Sequence, residues 1–131
     1  MENSGIRVIL VDDLASTRRA LKALFAFESR IEIIGEASDG VEALQLVEDK
    51  QPDLVLMDVR MPVMDGLKAT EKIKAAWPQI RVVLYTMFPG YQEEAYRAGA
   101  DFFLIKGCSG VTPSHVILSF FPVSHPSKAE I

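Results

Sequence analysis

Short, almost wholly apolar runs alternate along this chain with segments whose apolar residues recur at helical spacing, and this alternation strongly constrains the fold. Strands are predicted at residues 6–11, 31–37, 53–57, 80–86 and 101–106. Helices are predicted at residues 15–27, 66–77 and 91–99, after the capping pair Asp39 and Glu42, and from Thr112 to Pro122. Strands that alternate with helices form a parallel sheet covered by helices on both faces.

Size and charge exclude several classes of protein. The 131 residues correspond to one domain, and 49% hydrophobic residues are enough to bury a core. No apolar run is long enough to span a bilayer, and the N-terminal sequence is a poor secretory signal. The single cysteine, Cys108, excludes an internal disulfide framework, so we expect a cytoplasmic protein. A net charge of −4 argues against direct nucleic acid binding by this chain.

Polar residues stand where the buried strands end. They are Asp12, Asp13, Asp58, Thr86 and Lys106. In an open parallel sheet, ligands bind beyond the carboxyl ends of the strands, at the point where the strand order reverses. We therefore expect these five side chains to form one site.

This residue set suits phosphoryl transfer to an aspartate. Three clustered carboxylates repel one another and require a cation, and a site made of oxygen ligands favours Mg²⁺. Asp58 is the candidate nucleophile, because an aspartate can accept a phosphoryl group as an acyl phosphate. Lys106 and Thr86 are candidates to hold the phosphoryl oxygens. The loop DDLAST has acids where a nucleotide-phosphate cradle needs glycines, so nucleotide binding is not expected.

Four segments together resemble the receiver domain of bacterial two-component response regulators. They are VDD (11–13), DVRMPVMDG (58–66), YT (85–86) and AGADFFLIK (98–106), and the resemblance covers roughly residues 5–107. It implies a flavodoxin-like doubly wound sheet of five strands in the order 2-1-3-4-5. It also implies a switch that takes phosphate from a histidine kinase or phosphotransfer protein and assists only its own phosphorylation and dephosphorylation.

The resemblance also assigns roles by position. Asp58 would be the phosphoacceptor, and Mg²⁺ would be bound by Asp12, Asp13, Asp58 and the backbone carbonyl of Arg60. Thr86 and Lys106 would bind the phosphoryl group.

Phe103 falls at the position of the family's switch aromatic residue and would swing inward on phosphorylation. Some of these residues also have simpler interpretations. Asp12 could only cap the first helix, and Phe103 could be an ordinary core residue. Arg18 and Arg19 are expected on a solvated helix face.

Three departures from the family pattern stand out. The segment between Thr86 and Lys106 is about two residues short, which shortens the region of the fourth helix. Met87 is long where a small residue is common, and it could screen Asp58. Gly107 follows the lysine where many members have proline, which resembles the subgroup with a helix-turn-helix DNA-binding output domain. The last helix is short and apolar, so we expect it to pack against a partner or against a second copy, the latter as a homodimer through the helix 4–strand 5–helix 5 face.

We expect residues 1–121 to form the receiver domain and residues 122–131 a tail or the start of a linker. The chain could be one half of a DNA-binding regulator or a complete single-domain regulator. No helix-turn-helix is recognisable after Phe121. Two other functions stay open: a pseudo-receiver that binds partners without phosphorylation, and a Mg²⁺-dependent phosphotransferase. His115 and His125 are isolated and are not expected to donate phosphate.

Overall fold

A computed structural model describes residues 5–107 and 110–123, in which five strands alternate with helices as predicted. The strands are β1 (Ile6–Val11), β2 (Ile31–Ala37), β3 (Leu54–Met57), β4 (Arg81–Thr86) and β5 (Phe102–Ile105). The helices are α1 (Ala15–Phe25), α2 (Gly40–Lys50), α3 (Gly66–Ala76), α4 (Gln92–Arg97) and α5 (Pro113–Ser119). Within these residues, no helix is both long and apolar enough to cross a bilayer.

The five strands form one parallel sheet in the order β2-β1-β3-β4-β5, which confirms the predicted topology. The order reverses between β1 and β3, where Val11 pairs with Met57. The next residue on each strand stays close, because the N–H of Asp58 donates to the carbonyl of Val11 at 2.9 Å. Sheet pairing alone therefore brings the residues after β1 and β3 to the same point of the carboxyl edge.

The core has two layers, one on each face of the sheet. Helices α2, α3 and α4 cover one face, to which they contribute buried residues such as Val47 and Ile73. Helices α1 and α5 cover the other face through Phe25, Val116 and Ile117. The strands between the two layers are apolar on both sides because both sides are covered.

Side chains cap three of the helices. Asp39 accepts from the backbone N–H of Glu42 at the start of α2, which confirms the predicted capping pair. Glu42 reaches back to the N–H of Ser38 rather than to that of Asp39. Asp65 caps α3 and Thr112 caps α5 in the same way. Each such cap is worth about 1 kcal/mol.

The predicted apolar face of α1 is partly wrong. Only Leu21 and Phe25 are buried, while Ala20, Leu24 and Phe27 are exposed. The helix ends at Phe25, so Phe27 lies beyond the last turn and does not continue the apolar stripe. Ala20 and Leu24 each precede a buried residue by one position, which rotates their side chains by about 100° around the helix axis.

Two other helices are shorter than predicted. A 3₁₀ turn (Pro89–Tyr91) occupies the start of the predicted fourth helix, and only Gln92–Arg97 is α-helical. Gly99 follows this helix with φ +105°, the left-handed conformation expected after a helix C-terminus. The last helix ends at Ser119 rather than at Pro122. Cys108 and His125 lie outside the described residues.

Candidate functional site

The two acids after β1 have different surroundings. Asp12 is 3% exposed, and both oxygens of its carboxylate are bonded. Its Oδ1 accepts from the N–H of Leu14 at 3.0 Å, and its Oδ2 accepts from Lys106 Nζ at 2.9 Å. The bond from Leu14 forms a turn before the helix and is not a helix cap, because Leu14 is the N-cap residue of α1 and no described side chain caps that helix. Asp13 is exposed and turns toward solvent at the mouth of the site.

Asp58 follows β3 and lies within reach of the same lysine. Its Oδ1 accepts from the N–H of Val59 at 2.7 Å, and its Oδ2 lies 3.2 Å from Lys106 Nζ. The side chain of Asp58 is 11% exposed, so the carboxylate is largely covered but not sealed from solvent. A carboxylate that is positioned by hydrogen bonds and still partly exposed suits a nucleophile.

The glycine of DVRMPVMDG has a steric reason to be there. A Cβ on Gly66 would lie 2.1 Å from the backbone oxygen of Asp58, well inside contact distance. Without a side chain, the N–H of Gly66 donates to the carbonyl of Val59 at 2.7 Å. This contact packs the start of α3 against the backbone of Asp58 and fixes the position of that aspartate.

The three acids form one cluster that fits a divalent cation. One carboxylate oxygen from each of Asp12, Asp13 and Asp58 can be chosen so that all lie within 4.8 Å of one another. A set of oxygen ligands that also leaves room for water is the donor chemistry that Mg²⁺ prefers. The predicted acid cluster is therefore assembled, and its donor set fits the predicted metal.

Lys106 is held between two of these acids. Burial acts to lower the pKa of its ammonium, but the hydrogen bond to Asp12 and the charges of Asp58 and Asp12 outweigh burial and raise that pKa. Lys106 therefore stays protonated at neutral pH. Its Nζ also lies 5.5 Å from the centre of the Tyr85 ring. Burial raises the pKa of the Tyr85 phenol, which is neutral beside this charge.

Thr86 lies near the acids without contacting Asp58. The residue is fully buried, and its hydroxyl accepts from the N–H of Phe88 at 3.4 Å. The carbonyl of Thr86 accepts from the N–H of Lys106 at 2.8 Å, so the two residues are neighbours through the β4–β5 ladder. Among the hydrogen bonds of the described chain, none joins Thr86 to Asp58.

Phe103 is already inside the protein. Its ring is 7% exposed and belongs to the core on the α2–α3–α4 face. Its backbone N–H donates to the hydroxyl of Tyr96, which ties the edge strand β5 to α4 at 3.1 Å. The sequence did not predict this tether from Tyr96, because an exposed tyrosine on a short helix gives no distinctive signal.

A stack of three side chains borders the acid cluster. The guanidinium of Arg60 lies 4.5 Å from the centre of the Phe88 ring, and Phe88 meets Tyr91 edge to face at 6.5 Å. A pocket of about 420 Å³ opens beside this stack. Its lining residues are Asp13, Arg60, Met61, Pro62, Asp65 and Tyr91. The pocket gives small solutes a path to Asp13.

Two exposed hydrophobic residues follow β3 and β4 in the chain and have features unusual for their type. The side chain of Met87 is 67% exposed, so most of it lies in solvent. Val63, in the MPVMDG turn, has φ +69°, which is a strained conformation for a β-branched residue. The sequence raised Met87 as a screen over Asp58, and it gave no signal for the strain at Val63.

One sequence interpretation is corrected at this site. Arg18 does not lie on a solvated helix face, because its guanidinium bonds the backbone oxygen of Asp12 and the carboxylate of Glu36. Arg19, by contrast, is exposed as expected. The interpretation of Arg18 was wrong because its partners come from β1 and β2, which no spacing within α1 reveals.

A doubly wound domain with an acid cluster, a buried hydroxyl and a lysine at its carboxyl edge has the features of a signalling receiver. Comparison with known proteins agrees, because the model of the response regulator receiver domain matches residues 8–112. The chain therefore belongs to the family of response regulator receiver domains.

Two curated relatives illustrate the family. The chain is 39% identical over 107 residues to the response regulator protein VraR of Staphylococcus aureus, covering 79% of this chain and 51% of VraR. It is 36% identical over 103 residues to the uncharacterized transcriptional regulatory protein YhcZ of Bacillus subtilis, covering 77% and 48%. The chain thus spans about half the length of these curated relatives.

A solved structure confirms the fold. The signal receiver domain of the response regulator NarL from Mycobacterium tuberculosis superimposes with a TM-score of 0.79 at 28% identity. The match covers 89% of this chain and 94% of that one. The predicted flavodoxin-like architecture is therefore confirmed both by the sheet topology and by a solved relative.

Proposed function

We propose that Asp58 accepts a phosphoryl group and that the domain uses this modification as a switch. The observation that carries the proposal is the pairing of Asp58 with Lys106 at 3.2 Å inside a cluster of three acids. In the transfer, a bond forms between a carboxylate oxygen of Asp58 and phosphorus, and the bond from phosphorus to the donor breaks. The donor leaves with that electron pair.

The residues around Asp58 have separate tasks in this proposal. Lys106 remains protonated and provides a positive charge for a phosphoryl oxygen, while Thr86 provides a hydroxyl. Asp12, Asp13, Asp58 and the carbonyl of Arg60 would hold Mg²⁺. When bound, the metal neutralises negative charge on the transferring group and lets the acids and the phosphoryl group approach each other.

The proposed output starts from the hydroxyl of Thr86. A phosphoryl group on Asp58 would offer this hydroxyl an acceptor for its proton, whereas its present contact with Phe88 is one in which the hydroxyl oxygen accepts from the Phe88 N–H. A move of Thr86 would change the packing around Phe103 and the Tyr96 tether, and so shift the face of α4, β5 and α5 between two arrangements. Because Phe103 is already buried, the inward state would be populated before phosphorylation.

The wider role follows from the family. A histidine kinase or phosphotransfer protein would supply the phosphate in the cytoplasm. The domain would act as a signalling module, catalysing only its own phosphorylation and dephosphorylation. Receiver function would reside in residues 1–121, with residues 122–131 as tail or linker. Transcription would be regulated by the parent protein, because YhcZ is a transcriptional regulatory protein, while this domain would contact partners or a second copy rather than DNA.

Intact-mass spectrometry after incubation with acetyl phosphate tests the proposal. We expect one added phosphoryl group in the wild type with Mg²⁺, and none without Mg²⁺ or in Asp58→Ala. Asp49→Ala is the matched control, because Asp49 is an exposed aspartate on α2. A folded wild-type protein that gains no adduct would contradict phosphorylation and favour a pseudo-receiver. An adduct that persists in Asp58→Ala would place the acceptor elsewhere.

A further inference from the structure

The guanidinium of Arg18 lies against the backbone that carries the two acids after β1. Its Nη1 donates to the backbone oxygen of Asp12 at 2.5 Å, and its Nε donates to Glu36 Oε1 at 2.9 Å. The side chain is 18% exposed, so it reaches these partners from the first turns of α1 under partial cover. One side chain thus connects α1, the end of β1 and the end of β2.

The bond to the Asp12 carbonyl fixes the peptide that joins Asp12 to Asp13. The carbonyl of Asp12 and the N–H of Asp13 belong to one rigid plane, so holding the oxygen holds the whole peptide. The orientation of that plane determines the direction in which the Asp13 side chain leaves the backbone. Arg18 therefore acts on Asp13 through one peptide group.

The carboxylate of Asp13 has no hydrogen-bonded support of its own among the described residues. Asp12 is held by Leu14 and Lys106, but the carboxylate of Asp13 is exposed and accepts no hydrogen bond within residues 5–107 and 110–123. Its place in the acid cluster depends on its backbone. Loss of the Arg18 contact would affect Asp13 more than Asp12.

Arg18 is itself fixed in place. Glu36 accepts from Arg18 with one oxygen and from Lys22 Nζ with the other, at 2.6 Å. The Nε and Nη1 donors of the planar guanidinium are fixed relative to each other, and a lysine ammonium on a flexible chain does not reproduce this geometry toward the same two acceptors.

We propose that Arg18 is a positioning residue that preorganises Asp13 for cation binding. The inference rests on the proposed function, because it assumes that the acid cluster binds Mg²⁺. Groups that orient metal ligands typically change metal affinity by about 10–100-fold when they are removed. We therefore expect loss of Arg18 to raise the Mg²⁺ dissociation constant by about tenfold.

Simple electrostatics makes the opposite prediction. A positive charge near three acids opposes binding of a second cation, so its removal alone would tighten Mg²⁺ binding. Arg18→Gln removes the charge and the fork, while Arg18→Lys keeps the charge and removes the fork. Positioning predicts weaker binding in both variants, whereas electrostatics predicts tighter binding in the first and no change in the second.

Arg19→Gln is the matched control. Arg19 lies on the same helix, is exposed, and forms no hydrogen bond or ion pair with any other described residue. The variant Arg19→Gln removes one positive charge, as Arg18→Gln does, without disturbing the contact to the Asp12 carbonyl. Mg²⁺ affinity in this control should remain close to that of the wild type.

The experiment is isothermal titration calorimetry of each variant with Mg²⁺ alone, with urea unfolding as a check on the fold. The Mg²⁺ dependence of the acetyl phosphate reaction provides a second measurement. We expect the half-saturating Mg²⁺ concentration to rise in both Arg18 variants. A role limited to fold stability would leave that half-saturating concentration unchanged.

The outcomes separate this inference from the proposed function. If the wild type binds Mg²⁺ and phosphorylates Asp58 but both Arg18 variants bind Mg²⁺ normally, the positioning role is overturned and the switch stands. If the wild type does not bind Mg²⁺, the metal-dependent function fails, and the inference fails with it. If Arg18→Gln unfolds, the Mg²⁺ affinities of Arg18→Lys and Glu36→Gln are compared with that of the wild type instead, because both are smaller changes.

Discussion

Two half-buried lysines lie at opposite edges of the sheet and contrast in what surrounds them. Lys106, beyond the carboxyl end of β5, bonds Asp12 and Asp58. Lys74, at the amino edge, bonds Asp101 and the carbonyls of Pro78 and Ile80. Their side chains are similarly covered, 15% and 17% exposed. Burial therefore does not distinguish the two lysines, whereas the charges of the residues around them do.

The amino edge is neutralised and the carboxyl edge is not. Asp101 faces two cations, Lys74 and Arg81, and also accepts from the N–H of Val82. At the carboxyl edge, three acids cluster beside the ammonium of Lys106, which bonds Asp12 and Asp58 but not Asp13. An acid that is fully paired with cations in this way holds elements together, whereas an excess of acid leaves a site that a divalent cation can complete.

The largest expected effect is on phosphorylation in Lys106→Met. Loss of a fixed positive charge beside the acceptor should lower the rate of adduct formation by about 100-fold or more, the usual cost of removing an electrostatic contact to the transition state. Intact-mass time courses with acetyl phosphate and Mg²⁺ measure this rate. Lys74→Met is the control and should phosphorylate at the wild-type rate, since its ammonium lies at the other edge of the sheet. Equal rates in the two variants would remove the functional distinction between the edges.

Lys74→Met, which should not change phosphorylation, is expected to lower the stability of the fold. The change leaves two carbonyls of the loop between α3 and β4 without their ammonium donor and removes one partner of Asp101. We expect a loss of about 2 kcal/mol in the free energy of unfolding, measured in urea. Lys72→Met is the matched control, because Lys72 is exposed on the same helix. A loss no larger than in the control would show that this cluster does not stabilise the fold.

Much of this contrast was predictable from the sequence. Strand periodicity and the rule for parallel sheets placed Asp12, Asp58 and Lys106 together, because pairing of β1 with β3 and of β4 with β5 leaves their carboxyl ends side by side. The strand order and the family were also predicted correctly. A site that depends on which residue types follow the strands can therefore be predicted from the sequence alone.

The features that were not predicted depend on contacts that leave no pattern in the sequence. The bond from Arg18 to a carbonyl is invisible because every residue has a carbonyl. The buried face of α1 was ambiguous because the apolar residues come in adjacent pairs, such as Leu24 and Phe25, of which only one member can face the core. The fourth helix was drawn too long because residues of a 3₁₀ turn resemble those of an α-helix.

Mg²⁺ itself should stabilise the molecule through the carboxyl edge only. A ligand present at ten times its dissociation constant, binding the folded state alone, adds about 1.4 kcal/mol to the free energy of unfolding. Thermal or urea unfolding with and without Mg²⁺ measures this gain. Asp13→Asn should lose most of it, and Asp49→Asn should keep it. A gain that survives in Asp13→Asn would show that the cation binds at another place.

The smallest expected effect concerns Glu36, an acid of the carboxyl edge that faces two cations, Arg18 and Lys22, as Asp101 faces two at the amino edge. Hydrogen bonding from Lys22 lowers the pKa of Glu36, burial opposes this, and Arg18 adds to the lowering. A pKa that is lower in the folded state means that the folded protein binds fewer protons. The resulting stability is present above the ordinary glutamate pKa of 4.5 and is lost as pH falls through the folded value.

Glu36→Gln should therefore unfold more easily than the wild type at neutral pH, by no more than about 1 kcal/mol, because the pair is partly solvated. The difference should shrink as pH falls below the ordinary glutamate value, since the wild-type carboxylate is then protonated as well. Urea unfolding of both proteins at a series of pH values measures the difference. If it stays constant down to the lowest pH at which both proteins fold, the effect of Glu36 comes from packing rather than charge, and the analogy with Asp101 fails.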